Sequence, residues 1–301
     1  MARKWTAQDI PSQAGRLTVV TGANRGLGLE IVRALAAAGA HVIMAVRNPD
    51  AGAAAAKKAI EQIPGAQIDI MALDQADLAS IRRFSGEFHS RFDRLDLLVN
   101  NASAIQVPQS KTRDGFENHI GVNHFGSFAL TGLLLDRLSA GNDARVVNTS
   151  SGASKLVKGL DFDDLQFERT PYKKLEAYGR SKLAVLLYAA ELDRRLRKAG
   201  LPVKAVAAHP GVSNTSAPSG RFLEQWAMSL LAQSAAMGAL PQLYAATAHD
   251  VAGGDYYGPG GMAELRGYPT KVDYTARAKD EAAAARLWMI SEKLTGVSYL
   301  D

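Results

Sequence analysis

Residues 21–28 of this 301-residue chain read Thr-Gly-Ala-Asn-Arg-Gly-Leu-Gly. Residues 17–20 before this stretch form a β-branched run typical of a buried strand, and residues 29–38 after it have helical composition. Three glycines therefore lie on a strand-to-helix turn. Glycine allows a tight turn and a close approach of phosphate to main-chain N–H groups, and the helix N-terminus adds a partial positive charge. The stretch predicts a turn that binds a dinucleotide.

The rest of the chain alternates between strand patterns and helix patterns, which is typical of an α/β fold. Predicted strands cover 17–21, 41–46, 67–73, 95–99, 144–149 and 203–208. Predicted helices cover 27–38, 50–62, 77–91, 114–139, 176–199, 236–249 and 277–294. This order predicts a doubly wound parallel sheet of about seven strands with helices on both faces. We expect one Rossmann-type domain over residues 1–301, with 262–301 as a C-terminal extension.

The composition argues against several kinds of site. The chain has no cysteine, which excludes disulfides and thiolate chemistry, and its six histidines form no H-x-x-x-H pair, so we expect no metal. The net charge of +5 is modest and scattered, so we expect no nucleic-acid partner. No apolar run approaches the about 18 residues of a membrane span, and we expect no signal peptide. These observations predict a cytoplasmic protein without a transmembrane segment.

Tyr178 and Lys182 form a pair with the chemistry of a proton carrier. They lie four residues apart in a predicted helix, so both side chains share one face. Tyrosine has a pKa near about 10, and lowering it by about three units requires about 4 kcal/mol. A cation about 4 Å away supplies about that much at an effective dielectric near 20. We therefore expect Lys182 to lower the pKa of Tyr178.

Polar residues follow three of the predicted strands. Asn100-Asn101-Ala102 follows the fourth strand, Asn148-Thr149-Ser150-Ser151 the fifth, and His209-Pro210-Gly211 the sixth. The carboxyl ends of parallel strands meet at one edge of the sheet, where a doubly wound fold binds its ligand. Asn123 lies in the long predicted helix 114–139. Such hydroxyls and amides can polarise a carbonyl oxygen or relay a proton.

These motifs occur in one order: T-G-x-x-x-G-x-G, N-N-A, the serine, Y-x-x-x-K and P-G. In this order the chain resembles the short-chain dehydrogenase/reductase family over residues 15–260. The resemblance implies hydride transfer between a nicotinamide cofactor and an alcohol or carbonyl. It implies that Tyr178 is the general acid/base and that Lys182 lowers its pKa and binds the nicotinamide ribose. Ser151 matches the residue that positions the substrate oxygen, and Asn123 matches the asparagine that completes the proton relay.

The resemblance also implies a set of residues that contact the cofactor. These are Gly22, Asn24, Arg25, Gly26, Leu27, Gly28, Arg47, Leu73, Asp74, Asn100, Ala102, Ser103, Tyr178, Lys182, Pro210, Gly211, Val212 and Thr215. Asp74 matches the family's adenine contact, and Thr215 stands at the place of a carboxamide or phosphate contact. One position departs from the family pattern, because Ser103 stands where N-N-A is usually followed by glycine.

The end of the second predicted strand indicates which cofactor is used. An enzyme that uses NAD carries an acidic residue there for the ribose hydroxyls, but residues 44–47 read Met-Ala-Val-Arg. The 2′-phosphate of NADP(H) would instead meet Arg47 and Arg25, which is a favourable charge pairing. We therefore predict NADP(H). Two alternatives stay open: Arg47 as a surface residue paired with Asp50, and Asp74 as only a turn residue.

Three features are similar to the retinol-dehydrogenase-like branch of the family. They are the long spacing from Ser151 to Tyr178, the insert with Asp161-Phe162, and the tail 287–297. The branch implies a small apolar substrate: an aldehyde, a ketone, a retinoid or a steroid-like compound. Residues 212–235 do not fit the sheet pattern, and we leave a substrate lid, a membrane-surface contact and a subunit contact open for them. We also leave open a homodimer through helices 114–139 and 176–199. The alternative function is that of a non-catalytic NADPH-binding sensor.

Overall fold

Runs of aliphatic and β-branched residues form the strands of one central sheet. The computed structural model describes residues 4–211 and 233–300. The strands are Leu17–Thr21 (β1), His41–Val46 (β2), Gln67–Ala72 (β3), Leu97–Asn100 (β4), Ala144–Thr149 (β5), Val203–Ala208 (β6), Tyr256–Pro259 (β7) and Pro269–Lys271 (β8). Their order in the sheet is β3-β2-β1-β4-β5-β6-β7-β8. All neighbouring pairs are parallel except β7 and β8, so the predicted doubly wound fold is confirmed.

Helices cover both faces of this sheet. They are Gly26–Ala37 (α1), Pro49–Gln62 (α2), Leu78–Arg91 (α3), Asn118–Ile120 (α4), Gly126–Leu133 (α5), Leu135–Ser139 (α6), Lys174–Lys198 (α7), Ala235–Thr247 (α8) and Glu281–Thr295 (α9). Capping residues set their starts: the Asn48 side chain accepts a hydrogen bond from Ala51 N, and Asp77 accepts from Ala79 N and Ser80 N. Alternate strand residues face two cores, so Val19 packs with α3, α5 and α7, whereas Val20 packs with α1 and α8.

The sheet has eight strands among the described residues, so our expectation of about seven is corrected. Two strands, β7 and β8, lie outside the six predicted ranges, and β8 is a short antiparallel edge strand with the sequence Pro-Thr-Lys. Its Thr270 and Lys271 are exposed, so it carries no hydrophobic pattern from which a strand is recognised. Proline and lysine are residues that protect an exposed sheet edge against further pairing.

The predicted helix 114–139 is wrong as a single element. Residues 111–117 form a turn in which Thr112 N donates to Phe116 O, and Gly115 has a φ of +86°. The helical part begins with α4, continues as a π-helical turn over Gly121–Phe125, and then becomes α5 and α6. Gly126 packs close to the loop after β3, because a Cβ atom there would lie 2.5 Å from Gln75 O. π-helical turns inside helices are frequent at functional sites.

The C-terminal extension packs on α5 and α7, and α7 carries Tyr178 and Lys182. Trp288, on α9, is 1% exposed and lies against Phe128 and Tyr188. The Tyr299 hydroxyl donates to Phe128 O at 3.1 Å, and the Tyr188 and Tyr299 hydroxyl oxygens are 3.0 Å apart. The predicted helix 277–294 is in fact a 3₁₀ turn over Ala276–Lys279 followed by α9, because Asp280 caps the new helix at Ala283 N. The extension therefore completes the core on this face of the sheet.

The glycines of the opening stretch are required by close backbone contacts. Gly22 and Gly26 adopt φ values of +63° and +56°, which L-residues with side chains rarely do. Gly28 has an ordinary φ, but a Cβ atom there would lie 2.4 Å from Gly22 O and 2.7 Å from Asn101 Nδ2. The turn therefore brings the start of α1 into direct contact with the end of β1.

We expect Gly28→Ala to lower the free energy of unfolding by about 1–3 kcal/mol, because the added methyl group overlaps backbone atoms that cannot move independently. Gly86→Ala is the matched control, since Gly86 is an exposed glycine in α3 with no atom within 4 Å of its Cβ position. The control should stabilise the protein by roughly 0.5–1 kcal/mol through helix propensity. Urea unfolding measures both variants, and equal stability of the two would contradict the close contact at Gly28.

Candidate active site

The strand order reverses between β1 and β4, and hydrogen bonds join these two strands at their carboxyl ends. The Thr21 hydroxyl accepts from Asn101 N at 3.0 Å and from Ala102 N at 2.9 Å. Asn101 Nδ2 donates to Thr21 O at 2.9 Å. A doubly wound sheet has its ligand crevice at this point. Thr21 opens the glycine stretch of the sequence but was not among the predicted site residues.

The start of α1 fits the pyrophosphate of a dinucleotide. Arg25 stands at the N-cap in an extended conformation, and no side chain caps the helix. The N–H groups of the first turn are therefore available to an anion. Gly28 leaves the space that a side chain would fill, as its contacts with Gly22 and Asn101 show. Asn24 and Leu27 are half-buried beside this turn.

Tyr178 and Lys182 lie one helical turn apart on α7 and are both buried. Tyr178 is 8% exposed and Lys182 is 2% exposed. Lys182 Nζ donates to the carbonyl oxygen of Thr149 at 2.8 Å and lies 5.8 Å from the centroid of the Tyr178 ring. The Ser150 hydroxyl donates to Lys182 O at 2.9 Å, so the end of β5 and α7 are joined twice. The structure thus brings the predicted pair to the carboxyl edge of the sheet.

Burial dominates the ionisation of both groups. It lowers the pKa of Lys182 to about 7, and it raises the pKa of Tyr178 above its ordinary value. A hydrogen bond with Ser151 acts in the opposite direction on Tyr178 without outweighing burial. Our expectation of a lowered tyrosine pKa is therefore not met in the protein alone. The reason is that burial disfavours the phenolate of Tyr178 and also disfavours the ammonium form of Lys182 that would stabilise it.

Ser151 lies two residues after the end of β5 and caps the 3₁₀ turn Gly152–Leu156. Its hydroxyl accepts from Ala153 N at 3.3 Å, so the side chain caps this turn. The residue is half-buried and interacts with the Tyr178 phenol. The structure therefore places Ser151 together with Tyr178, as the sequence predicts.

Asn123 lies in the π-helical turn and fixes the loop after β4. Its Nδ2 donates to Ala104 O at 3.0 Å and to Ser181 Oγ at 2.9 Å, and its Oδ1 accepts from Ala104 N at 2.7 Å. Ser181 Oγ in turn donates to Tyr178 O at 2.8 Å. The recorded side-chain bonds of Asn123 thus reach the backbone around Tyr178 rather than its phenol. The proton-relay role of Asn123 stays a prediction.

Ser103, which replaces the family's glycine, has a partner that explains it. Its hydroxyl donates to Asn123 Oδ1 at 3.1 Å, and its φ is not in the left-handed region. The backbone here does not require glycine, and the serine adds a hydrogen bond between the loop and the π-helical turn. We had not singled out Ser181, although it lies inside the Tyr178–Lys182 motif.

Two predicted cofactor-contact residues, Asn100 and Asp74, form side-chain hydrogen bonds within the protein. Asn100 Nδ2 donates to Thr131 Oγ1 at 3.1 Å and to Asn148 Oδ1 at 3.0 Å, in the core. Asp74 Oδ1 accepts from Ala76 N at 3.0 Å, which supports the alternative of a turn residue. Leu73 is 4% exposed. An adenine contact by Asp74 stays a prediction.

Arg25 and Arg47 are both exposed at the ends of β1 and β2. Neither forms an ion pair with any residue in 4–211 or 233–300, so the alternative pair of Arg47 with Asp50 is absent there. A cavity of about 310 Å³ lies beside them between α1 and α2, and Asn24, Arg33 and Lys58 contribute to its lining. This part of the surface is positively charged and open to a ligand.

The turn after β6 contacts the loop after β7 and, through Glu264, the turn after β5. Gly211 has a φ of +66°, and a Cβ atom there would lie 2.4 Å from Leu265 O. His209 Nε2 lies 2.9 Å from Glu264 Oε2, and Lys155 Nζ lies 2.7 Å from the same oxygen. These contacts fix the turn of Pro210 and Gly211. The predicted residues Val212 and Thr215, and most of the proposed lid 212–235, lie outside the described residues.

Two expected absences are tested only within the described part of the chain. No group of three or more His, Cys, Asp or Glu residues in 4–211 and 233–300 is arranged to hold a metal ion. In the same ranges no helix combines the length and the apolar character that crossing a membrane requires.

The low pKa of Lys182 should make stability depend on pH in a defined direction. Between about pH 7 and the ordinary value of 10.5, the unfolded chain binds a proton at Lys182 that the folded protein does not. The contribution of Lys182 to the free energy of unfolding therefore rises with pH across this interval and is constant below it. Wild type minus Lys182→Met should show this rise in urea unfolding. Lys198→Met, at an exposed position on α7, controls for charge removal, and a pH-independent difference for Lys182→Met would contradict the burial effect.

Comparison with known proteins identifies the family. A family model described as short chain dehydrogenase matches residues 16–162. Retinol dehydrogenase 13 of Homo sapiens is 36% identical, with 97% of this chain and 89% of that protein covered. Polyprenol dehydrogenase of Danio rerio is also 36% identical, with 96% and 89% covered.

A solved structure agrees over the whole length. An uncharacterized protein from Mycobacterium Paratuberculosis is 42% identical, with 99% of each chain covered and a TM-score of 0.84. The matched relatives therefore extend over the C-terminal extension as well as the motif-bearing part. The chain belongs to the short-chain dehydrogenase family and is an oxidoreductase similar to the retinol dehydrogenases.

Proposed function

We propose that this protein is an NADP(H)-dependent oxidoreductase that interconverts an apolar alcohol and its carbonyl compound, with Tyr178 as the general acid/base. The observation that carries this proposal is the buried group of Tyr178, Lys182 and Ser151 at the carboxyl edge of the sheet. In the sheet, β5 lies next to β4, and β4 lies next to β1. The group at the end of β5 is therefore beside the loops after β1 and β4, which fit a dinucleotide. The fold and the chemistry of the side chains thus point to the same edge.

The nicotinamide, when bound, supplies or accepts the hydride. In the reducing direction the Tyr178 phenol donates its proton to the substrate oxygen, and the Ser151 hydroxyl holds that oxygen by a hydrogen bond. The raised pKa of Tyr178 keeps the phenol protonated at neutral pH, so the free protein holds the proton that reduction consumes. In its protonated form Lys182, one helical turn away, would stabilise the phenolate that remains.

The charge around Arg25 and Arg47 supports NADP(H) as the cofactor. Both arginines are exposed, and no acidic residue stands in residues 44–48, where an NAD enzyme holds the ribose hydroxyls. The neighbouring cavity adds Lys58, which is also exposed. A 2′-phosphate at this place would gain charge-assisted hydrogen bonds.

Apolar side chains near the site support an apolar substrate. Ile105, Leu156 and Leu175 are 43%, 68% and 47% exposed, although large aliphatic side chains are usually buried. Ile105 follows the residue bound by Asn123, Leu156 ends the turn begun by Ser151, and Leu175 lies one turn before Tyr178. The matched relatives are named for retinol and polyprenol, which are both apolar alcohols.

The sequence predictions of a homodimer and of a cytoplasmic location stay predictions. The proposed dimer surface includes helix α7, and α9 packs against this helix through Trp288 and Tyr188. A dimer would therefore use the part of α7 that α9 leaves free. The non-catalytic sensor remains the alternative function, and the next experiment separates it from the enzyme.

We expect Tyr178→Phe to bind NADPH as tightly as the wild type while its rate of carbonyl reduction falls by about 100-fold or more, because the proton donor is lost. NADPH oxidation with a panel of apolar aldehydes and ketones measures the rate, and fluorescence titration measures binding. Most of the activity remaining in Tyr178→Phe would overturn the role of the phenol. A wild type that binds NADPH tightly and reduces nothing in the panel would favour the sensor.

We expect kcat/KM to be higher with NADPH than with NADH. Arg25→Gln and Arg47→Gln should each reduce the NADPH value by roughly tenfold and leave the NADH value nearly unchanged, since each removes one charge-assisted contact with the extra phosphate. Arg277→Gln, at an exposed arginine of the turn Ala276–Lys279, is the control. A wild-type preference for NADH, or equal losses with both cofactors, would contradict the assignment.

A further inference from the structure

A buried cluster of Glu117, His119 and Tyr172 packs against the ring of Tyr178. Glu117 is 2% exposed and His119 is completely buried. The Glu117 carboxylate accepts from His119 N, His119 Nδ1 and Ile120 N, each at 2.9 Å, and from the Tyr172 hydroxyl at 3.0 Å. Burial alone would raise the pKa of Glu117, but the hydrogen bonds from His119 and Ile120 outweigh it and lower the pKa. Glu117 is therefore a buried, fully bonded carboxylate.

Hydrogen bonds at both ring nitrogens fix His119 in one orientation. Val107 N donates to His119 Nε2 at 3.2 Å, so Nε2 carries no proton. The proton is on Nδ1, which donates to Glu117. The imidazole is therefore uncharged. A flip of the ring about the Cβ–Cγ bond would break the hydrogen bond at each nitrogen. Hydrogen bonds at both ring nitrogens thus hold His119 in place beside Tyr178.

The fixed imidazole lies between two tyrosine rings. Its centroid is 5.9 Å from the centroid of Tyr178, with an angle of 58° between the planes. The Tyr172 ring is 6.3 Å away at 25°, and its hydroxyl oxygen lies 2.9 Å from His119 Nδ1. Tyr172 packs in turn on Phe167. A continuous row of rings therefore leads from the insert before α7 to the phenol of Tyr178.

The cluster also connects the three segments that surround this phenol. Glu117 caps the turn Asn118–Ile120, which continues into the π-helical turn with Asn123. Val107 belongs to the loop after β4, whose start is bound by Asn123. Tyr172 precedes α7 and is followed on that helix by Tyr178. A change at His119 would therefore be felt at the ring of Tyr178 rather than at the dinucleotide turn.

We propose that His119, held by Glu117 and Tyr172, is a positioning residue that fixes the orientation of the Tyr178 phenol toward the substrate oxygen. This inference rests on the proposed function, because it assigns the surroundings of Tyr178 a task in the same reaction. His119 acts through ring packing and exchanges no proton with the substrate. Displacing a catalytic acid by about 1 Å lowers the rate of an enzyme on the order of 100-fold. The cluster supplies the constraint that one helix alone does not give to a tyrosine side chain.

The first test compares kinetics. His119→Ala should lower kcat by roughly 10- to 100-fold and leave the Kd of NADPH within about twofold of wild type, since the phenol is misplaced but the dinucleotide turn is not touched. Tyr172→Phe should give a smaller loss of kcat in the same direction. It is the variant that decides the question if His119→Ala does not fold. Tyr244→Phe is the matched control, because the Tyr244 hydroxyl also donates to a carboxylate, Asp250, but packs on the opposite face of the sheet.

The second test does not depend on catalysis. Fluorotyrosine is incorporated, and the fluorine NMR signal of Tyr178 is assigned by its loss in Tyr178→Phe. This signal should shift or broaden in His119→Ala and Tyr172→Phe and stay in place in Tyr244→Phe, because only the first two remove His119 or a hydroxyl that contacts it. A purely structural role would lower stability without moving the signal.

Unchanged kcat and an unchanged Tyr178 signal in both cluster variants would overturn the inference. A wild type that reduces no carbonyl compound would instead defeat the proposed function. The NMR comparison would then still decide whether the cluster orients the phenol.

Discussion

The hydrogen bond from Lys182 Nζ to the carbonyl oxygen of Thr149 is the contact on which the site depends. It joins the middle of a long helix to the last residue of a central strand. Tyr178 lies one turn earlier on the same helix, and Ser151 lies two residues after the same strand. Because a lysine is rarely buried without a charged partner, this contact carries a cost that the surrounding core must offset. The contact keeps the amine of Lys182 in a buried position one helical turn from Tyr178.

Burial has opposite effects on the two groups of this pair. It favours the neutral amine of Lys182 and the neutral phenol of Tyr178, so the free protein keeps both uncharged more readily than water would. Two charges at a short distance attract each other, but the loss of hydration on burial opposes that attraction. In this pair the effect of burial dominates, which is why spacing alone brought Tyr178 and Lys182 together correctly and gave the direction of the tyrosine pKa wrongly.

Along the whole chain, features that local residues determine were predicted, and features that depend on distant contacts were missed. Nearly continuous apolar runs such as residues 203–208 predicted the parallel strands, and the predicted helix 50–62 matches α2 within one residue, because these signals are local. The π-helical turn at Asn123 was missed because it depends on contacts with distant segments, including Ser181 and Ala104. β8 was missed because its pairing with β7, and no pattern of its own, makes it a strand. Family resemblance named Asn123 and Ser151, but only their neighbours in space show what each side chain contacts.

The packing of Trp288 and Tyr299 against Phe128 and Tyr188 has a consequence for how the protein is made. These contacts join the last part of the chain to α5 and α7, more than a hundred residues earlier in the sequence. During synthesis the sheet and its first helices emerge from the ribosome while this aromatic surface still lacks its cover. Until the chain has been translated through residue 299, Phe128 and Tyr188 therefore lack the contacts with Trp288 and Tyr299 that bury them in the folded protein.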